Sequence, residues 1–151
     1  MLIDTWMRRH VHVVKPLDGL LRARELMEVH RINQLPVVVD GRLVGIITDR
    51  DVRDAMPGAL AAAKAAATRH RRTAPEEEPV VESVMTGDVL TLGPSDTVVT
   101  AARLMRRERI GSVPIVADGR LVGILTRSDI LDAFVGLSER WAPEPRPEPR
   151  Q

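Results

Sequence analysis

The apolar positions of this chain change period in an order that is then repeated. Val11–Val14 is a short β-prone run stopped by Pro16, after which Leu20, Ala23 and Met27, with Leu26 alongside, recur at spacings of three and four. That succession predicts a short strand followed by a helix with one buried stripe. Pro36–Val39 and Leu43–Ile47 come next, with Asp40-Gly41 between them. Asp-Gly between two β-prone runs predicts a hairpin with a type I′ turn, which needs positive φ at both central residues. A closing helix is predicted from Asp49 or Arg50. The order then returns as Val89–Leu92 up to Gly93-Pro94, and the stripe Val98, Ala101, Ala102 and Met105. Pro114–Ala117 and Leu121–Leu125 follow around Asp118-Gly119, with a last helix from Arg127 or Ser128. Asp18 and Ser95-Asp96 are the predicted caps of the first helix in each set. The fold class is α/β, built from units of order strand, helix, strand, strand, helix.

The two sets match residue for residue. The string from Leu35 to Ile46 reappears from Val113 to Ile124, 78 residues on, with nine of its twelve positions identical. Pro16 and Asp18 meet Pro94 and Asp96, Arg31-Ile32 meets Arg109-Ile110, and Thr48 and Asp51 meet Thr126 and Asp129. Apolar runs alike by chance would not keep these polar and turn residues in register, so the chain is an internal duplication. The first repeat is expected over 7–56 and the second, with its lead-in, over 80–135. One unit of about 50 residues buries too little surface alone, so the two are expected to pack face to face as one pseudo-twofold body. Val80–Met85 is an apolar lead-in to the second repeat, mirrored loosely by Leu2–Met7. A connector is expected over 57–79, with an Ala-rich stretch from Ala59 to Ala67 and a basic run Arg69–Arg72 ahead of Glu76–Glu78. The end, 136–151, is expected to be an extended tail, because Pro143–Arg150 alternates Pro with charge.

Composition narrows the function. With 22 Lys+Arg against 21 Asp+Glu the formal charge is +1, which gives no global attraction to nucleic acid or anionic lipid. Aromatic residues are limited to Trp6, Phe134 and Trp141, too few for base-stacking platforms, so nucleic acid is disfavoured as a partner. There is no cysteine, which excludes disulfides and thiol chemistry and fits a reducing compartment. No basic stretch precedes an apolar run at the N-terminus, and no run approaches the roughly 20 apolar residues needed to cross a bilayer. No membrane association and a cytoplasmic location are expected.

The densest polar cluster in each repeat follows its last strand, as Gly45-Ile-Ile-Thr48-Asp49-Arg50-Asp51 and Gly123-Ile-Leu-Thr126-Arg127-Ser128-Asp129. Thr at a strand end with Asp one turn into a helix is explained by helix capping. The same residues suit a ligand: a carboxylate accepts hydrogen bonds from both hydroxyls of a ribose, the Thr hydroxyl fixes sugar or phosphate, and Arg50 and Arg127 meet an anion. The glycine ahead of each cluster would let a ligand approach the backbone. Capping and ligand contact do not exclude each other. His10 and His12 alternate along a strand and would share a face, but no third metal ligand accompanies them, so no metal site is expected. No catalytic constellation and no Walker-type Gly-rich loop is present.

Together these residues resemble a pair of CBS domains, the tandem arrangement often called a Bateman module. The resemblance covers nearly the whole chain. It rests on Met85-Thr86 and the degenerate Met7-Arg8, on Leu35-Pro36-Val37 and Val113-Pro114-Ile115, on the Asp-Gly hairpins, and on Gly-h-h-Thr-x-x-Asp in both repeats. The overall form also resembles small stand-alone CBS proteins, including those related to acetoin-utilisation proteins. The resemblance implies two tandem βαββα repeats packed with pseudo-twofold symmetry, a homodimer, and no catalysis or resident cofactor. It implies a regulatory ligand, AMP, ADP, ATP or S-adenosylmethionine, sensed through a regulated protein partner or the dimer itself. By position it places Thr48 with Asp51, and Thr126 with Asp129, on the ribose side of two clefts. It puts Val13, Thr91, Val37 and Ile115 near the adenine, with Gln34 and Ser112 as polar contacts nearby. The repeats differ between Thr and Asp, and Asp49 against Arg127 predicts more phosphate charge at the second site. The alternative is a structural or protein-interaction dimer whose clefts are non-functional.

Overall fold

The computed structural model describes residues 1–56 and 78–141. The Ala-rich and basic stretches of the connector, and the Pro-rich end from 142 onward, lie outside the described residues. The first part of the chain forms α1 (Ile3–Trp6), α2 (Leu20–His30), β1 (Gln34–Val39), β2 (Arg42–Thr48) and α3 (Asp49–Ala55). A 3-10 turn at Val81–Ser83 leads to α4 (Val98–Glu108), β3 (Ser112–Ala117), β4 (Arg120–Thr126) and α5 (Arg127–Arg140). The last helix thus runs through residues 136–140, where an extended tail was expected.

β1 pairs antiparallel with β2, from Gln34 opposite Thr48 to Val39 opposite Arg42, and β3 pairs with β4 from Ser112 opposite Thr126 to Ala117 opposite Arg120. Both turn residues have positive φ in each hairpin, 50° and 79° at Asp40-Gly41 and 51° and 74° at Asp118-Gly119, as a type I′ turn requires. Both ladders slip by one residue at the same place, between Val37 and Val38 and between Ile115 and Val116. These matched bulges show that the duplication extends to backbone irregularities.

The first strand of each unit shrinks to one bridging residue, Val14 beside Val37 and Leu92 beside Ile115, in parallel. Val14 donates to the Pro36 carbonyl at 3.1 Å and accepts from the Val38 amide at 2.9 Å. Extending that parallel ladder one step backward needs an amide hydrogen on Pro36, and one step forward needs one on Pro16. Pro114 and Pro94 impose the same limits on the bond pair around Leu92, to Pro114 and from Val116. Proline lacks that hydrogen, so the ladder stops at both ends.

Asp18 and Asp96 do not cap helices, contrary to the expectation from sequence. Their Oδ2 atoms accept from the Lys15 amide at 2.8 Å and the Gly93 amide at 2.7 Å, closing the turns around Pro16 and Pro94. The N-cap of α2 is Gly19 without a side-chain bond, and α4 is capped by Thr97, whose Oγ1 accepts from the Thr100 amide at 3.1 Å. Arg31 and Arg109 end these helices in the left-handed region, at φ 53° and 57°. The following Ile32 and Ile110 amides return to the Met27 and Met105 carbonyls, and both isoleucines pack on the cores. The recurrent Arg-Ile pair is therefore a helix stop with an apolar latch.

The buried stripes are Leu20, Ala23 and Met27 in α2 and Val98, Ala101 and Met105 in α4. Two apolar cores result, one per repeat, and each is completed by the lead-in of the other. Ile3 and Met7 are buried with Val113, Ile115 and Leu125 of the second repeat. Val81 is buried with Val14, Leu35 and Val37 of the first. Backbone bonds fix the exchange: Ile3 donates to Asp96 at 2.9 Å and Val98 to Met1 at 3.1 Å, while Val81 donates to Asp18 at 2.9 Å and Leu20 to Pro79 at 3.0 Å. The chain past each lead-in also crosses over, because Arg8 and Ile124 exchange bonds at 2.9 and 3.0 Å, as do Thr86 and Ile46. Gly45 and Gly123 make these crossings possible. A Cβ on Gly45 would lie 3.0 Å from the Thr86 carbonyl oxygen, and one on Gly123 would lie 3.1 Å from that of Arg8. These glycines admit the crossing chain and not a ligand, which corrects the role expected for them. The result is two βαββα repeats related by a pseudo-twofold. Among the described residues, no helix is long and apolar enough to cross a membrane.

Candidate functional site

Two clefts lie between the repeats, and each takes its strand-end Thr from one repeat and its wall from the other. The larger, about 740 Å³, is lined by His10, His12, Pro36, Ile124, Thr126 and Arg127, among others. The smaller, about 440 Å³, is lined by the counterparts from the opposite repeats, including Asp88, Leu90, Pro114, Ile46, Thr48 and Asp49. Both volumes are in the range of small-molecule sites. Asn33, Gln34, Asp49 and Gly111 line both clefts, so these meet at the pseudo-twofold.

Each cleft rests on a capping box. Asp51 Oδ2 accepts from the Thr48 amide and hydroxyl, both at 2.8 Å, while Thr48 Oγ1 accepts from the Asp51 amide at 3.2 Å. Asp129 Oδ2 accepts from the Thr126 amide at 2.8 Å and its hydroxyl at 2.6 Å, with the return bond at 3.3 Å. Capping therefore occupies one oxygen of each carboxylate and leaves the other for something else. Here the halves differ. Asp129 Oδ1 accepts from Arg8 Nε at 2.8 Å, an ion pair whose carboxylate is 7% exposed and whose arginine is 56% exposed. The position equivalent to Arg8 is Thr86. It supplies no cation, and Asp51 has no ion pair among the described residues.

The sequence-derived contacts divide accordingly. Gln34, Thr48, Arg50, Ser112, Thr126 and Arg127 line a cleft, and Asp51 and Asp129 stand behind their threonines. Val37 and Ile115 do not line a cleft. Both are fully buried in the two cores, and the preceding Pro36 and Pro114 face the clefts in their place. Val13 and Thr91 do not line a cleft either; the wall is formed slightly upstream, by Val11 and His12 and by Val89 and Leu90. The repulsion expected from Asp49 is offset, because Arg53 Nη2 lies 2.7 Å from its Oδ2. Arg127 donates to the Ile110 carbonyl at 3.0 Å and has no carboxylate within ion-pair distance among the described residues.

Residues that sequence reading left out include Arg8, Ile46, Ile124 and His30. The repeat offset carried the signal for Ile46 and Ile124, which sit two positions before their threonines on equivalent strands. His10 and His12 do share a cleft, and His12 stacks on His30 with ring centroids 3.5 Å apart. Among the described residues, no three His, Cys, Asp or Glu side chains are arranged to hold a metal ion.

Residues 3–58 and 81–136 each match the CBS domain. The chain belongs to the CBS-domain family. As a CBS pair it is a regulatory unit and not a catalytic one. It is 35% identical over 128 residues to the inosine-5′-monophosphate dehydrogenase of Korarchaeum cryptofilum, covering 84% of this chain but only 23% of that enzyme. Among solved structures it resembles Arabidopsis thaliana CBSX2 in complex with AMP, with a TM-score of 0.72, 30% identity, and coverage of 91% of this chain and 98% of that one. It also resembles the CBS domain pair of protein MJ0100, solved with 5′-methylthioadenosine and S-adenosyl-L-methionine. That match has a TM-score of 0.70 at 30% identity and again covers 91% and 98% of the two chains.

Proposed function

We propose that the interrepeat clefts bind an adenine nucleotide, AMP, ADP or ATP, or S-adenosylmethionine, and that the chain is a sensor acting through a partner or its own dimer. The observation that carries this reading is Ser112. The residue is 3% exposed and lines the smaller cleft, and its buried hydroxyl has no hydrogen-bond partner among the described residues. An unpaired buried hydroxyl is costly, and a ligand with a polar edge would satisfy it. The AMP bound by CBSX2 and the adenosine compounds bound by the MJ0100 pair supply the ligand class. The outer oxygen of Asp51 would take the ribose diol, with the Thr48 hydroxyl beside it. In the larger cleft Arg8 already holds the equivalent oxygen of Asp129, so a ribose there must displace a guanidinium. The smaller cleft is therefore the stronger nucleoside site.

Ser112→Ala separates a ligand contact from a merely structural serine. The free protein should become slightly more stable, because an orphan hydroxyl is removed, while nucleotide affinity should fall about tenfold. Calorimetric titration with AMP, ATP and S-adenosylmethionine, alongside thermal melts, reads both effects. No saturable binding of any of the three would sink the proposal.

An exposed apolar face favours a dimer. On α5, Leu131, Phe134 and Val135 are each more than half exposed, and Trp141 just past its end is 82% exposed. We propose that a second copy covers this face. Phe134→Glu should convert a dimer to a monomer in sedimentation equilibrium without lowering the melting temperature by more than a few degrees. A variant that sediments as the wild type would rule out this face. A dimer without nucleotide binding would leave the interaction-module reading in place.

A further inference from the structure

Three of the four histidines of the chain, His10, His12 and His30, line the larger cleft. The fourth, His70, lies outside the described residues. His12 and His30 stack with an interplanar angle of 16°, and all three are exposed. The equivalent positions in the other repeat are Asp88, Leu90 and Glu108. The smaller cleft thus has the same architecture without a histidine.

The charged groups facing the three imidazoles are Arg8, Arg31 and Arg127, against Glu28 and Asp49. Arg8 is engaged by Asp129, and Asp49 by Arg53, so neither neutralises an incoming anion or cation fully. Arg127 and Arg31 have no carboxylate at ion-pair distance among the described residues. The smaller cleft carries Arg50, Arg53 and Arg109 against Asp49 and Asp88. Its formal charge matches that of the larger cleft when the imidazoles are neutral. The difference appears only on protonation, since histidine is the side chain that ordinarily changes charge between about pH 5 and 8. Two stacked imidazolium rings repel one another, and an anion seated beside them offsets that repulsion. Proton uptake and anion binding are then coupled at this cleft.

We infer that the His10, His12 and His30 cleft is a proton-coupled subsite for phosphate groups, tightening as pH falls, while the smaller cleft lacks this response. The inference builds on the nucleotide reading above but extends to any phosphate anion. Lower pH adds positive charge to this cleft alone, and the gain disappears as pH rises and the imidazoles become neutral.

The test uses the full chain in the presence of a chelator, which removes any metal–imidazole contact. ATP, uncharged adenosine and inorganic pyrophosphate are titrated at about pH 6 and about pH 8. Wild-type protein is compared with a variant carrying His10→Gln, His12→Gln and His30→Gln, and with His30→Gln alone. The weaker of the two ATP-binding events, assigned to the larger cleft, should tighten about tenfold at the lower pH in the wild type and less than about twofold in the triple variant, while the stronger event stays unchanged. The single variant should fall between them, and adenosine should show no pH response. Comparing variants with one ligand removes the ligand's own titration from the result. An equal gain in wild type and triple variant overturns the inference. If no adenosine compound binds at either pH, the nucleotide reading fails. Pyrophosphate then decides the anion subsite independently: a histidine-dependent gain upholds it and the absence of one refutes it.

Discussion

Ile3→Ala should destabilise the second repeat by about 2–5 kcal/mol, although residue 3 opens the first of the two CBS matches. Ile3 is fully buried, and its neighbours are Val113, Ile115, Leu125 and Met105. Removing three carbons there leaves a cavity in the core of the second repeat, to which the N-terminal part of the chain contributes only through Ile3, Trp6 and Met7. In hydrogen exchange, the amides of α4, β3 and β4 should lose protection first, while those of α2, β1 and β2 lose less. Val81→Ala is the mirror image, with a smaller effect because two carbons are removed and the loss directed to the first repeat. Early loss of protection in β1 and β2 upon Ile3→Ala would contradict the exchange of lead-ins.

Gly123→Val is expected to cost about 1–3 kcal/mol by overpacking, and to disturb the larger cleft as well. Its first side-chain carbon would stand 3.1 Å from the Arg8 carbonyl oxygen, backbone that cannot turn aside as a flexible side chain can. Pushing Arg8 away breaks its two bonds with Ile124 and releases Asp129 Oδ1. Gly87→Val is the control, because a Cβ there meets nothing within 4 Å. Thermal melts of the two variants should differ by several degrees. Equal melting temperatures would show that the crossing chain yields without cost.

Much of this arrangement was legible in the sequence. Asp-Gly turns, stripes at helical spacing and the Thr-x-x-Asp strings are local signals, and each forms where its own residues demand it. What escaped was the question of partnership. The apolar residues Ile3 and Val81 announce burial, but nothing in a period says against what, so the lead-ins were assigned to the repeats they precede. The one-residue first strands could have been read in advance. Pro16 and Pro36 both lack the amide hydrogen that a longer parallel ladder needs, and Pro94 and Pro114 repeat the pattern. In the site, the resemblance to CBS pairs puts Val37 and Ile115, just after the prolines, near the adenine. Residue alternation past Pro36 and Pro114 turns them inward to the cores instead. His30 went unnoticed because its meeting with His12 depends on where α2 ends relative to the wall, a tertiary fact.

The paired prolines have a consequence for ligand entry. Val14 and Leu92 are pinned to their sheets, but the cleft walls just before them, residues 10–12 and 88–90, have no sheet bonds among the described residues. Such segments open at small free-energy cost, well below that of global unfolding. A guest molecule can thus be admitted by a local displacement of one wall while both cores stay shut. Part of its binding energy then goes to stiffening that wall, which turns occupancy into a change of rigidity at the seam between the repeats.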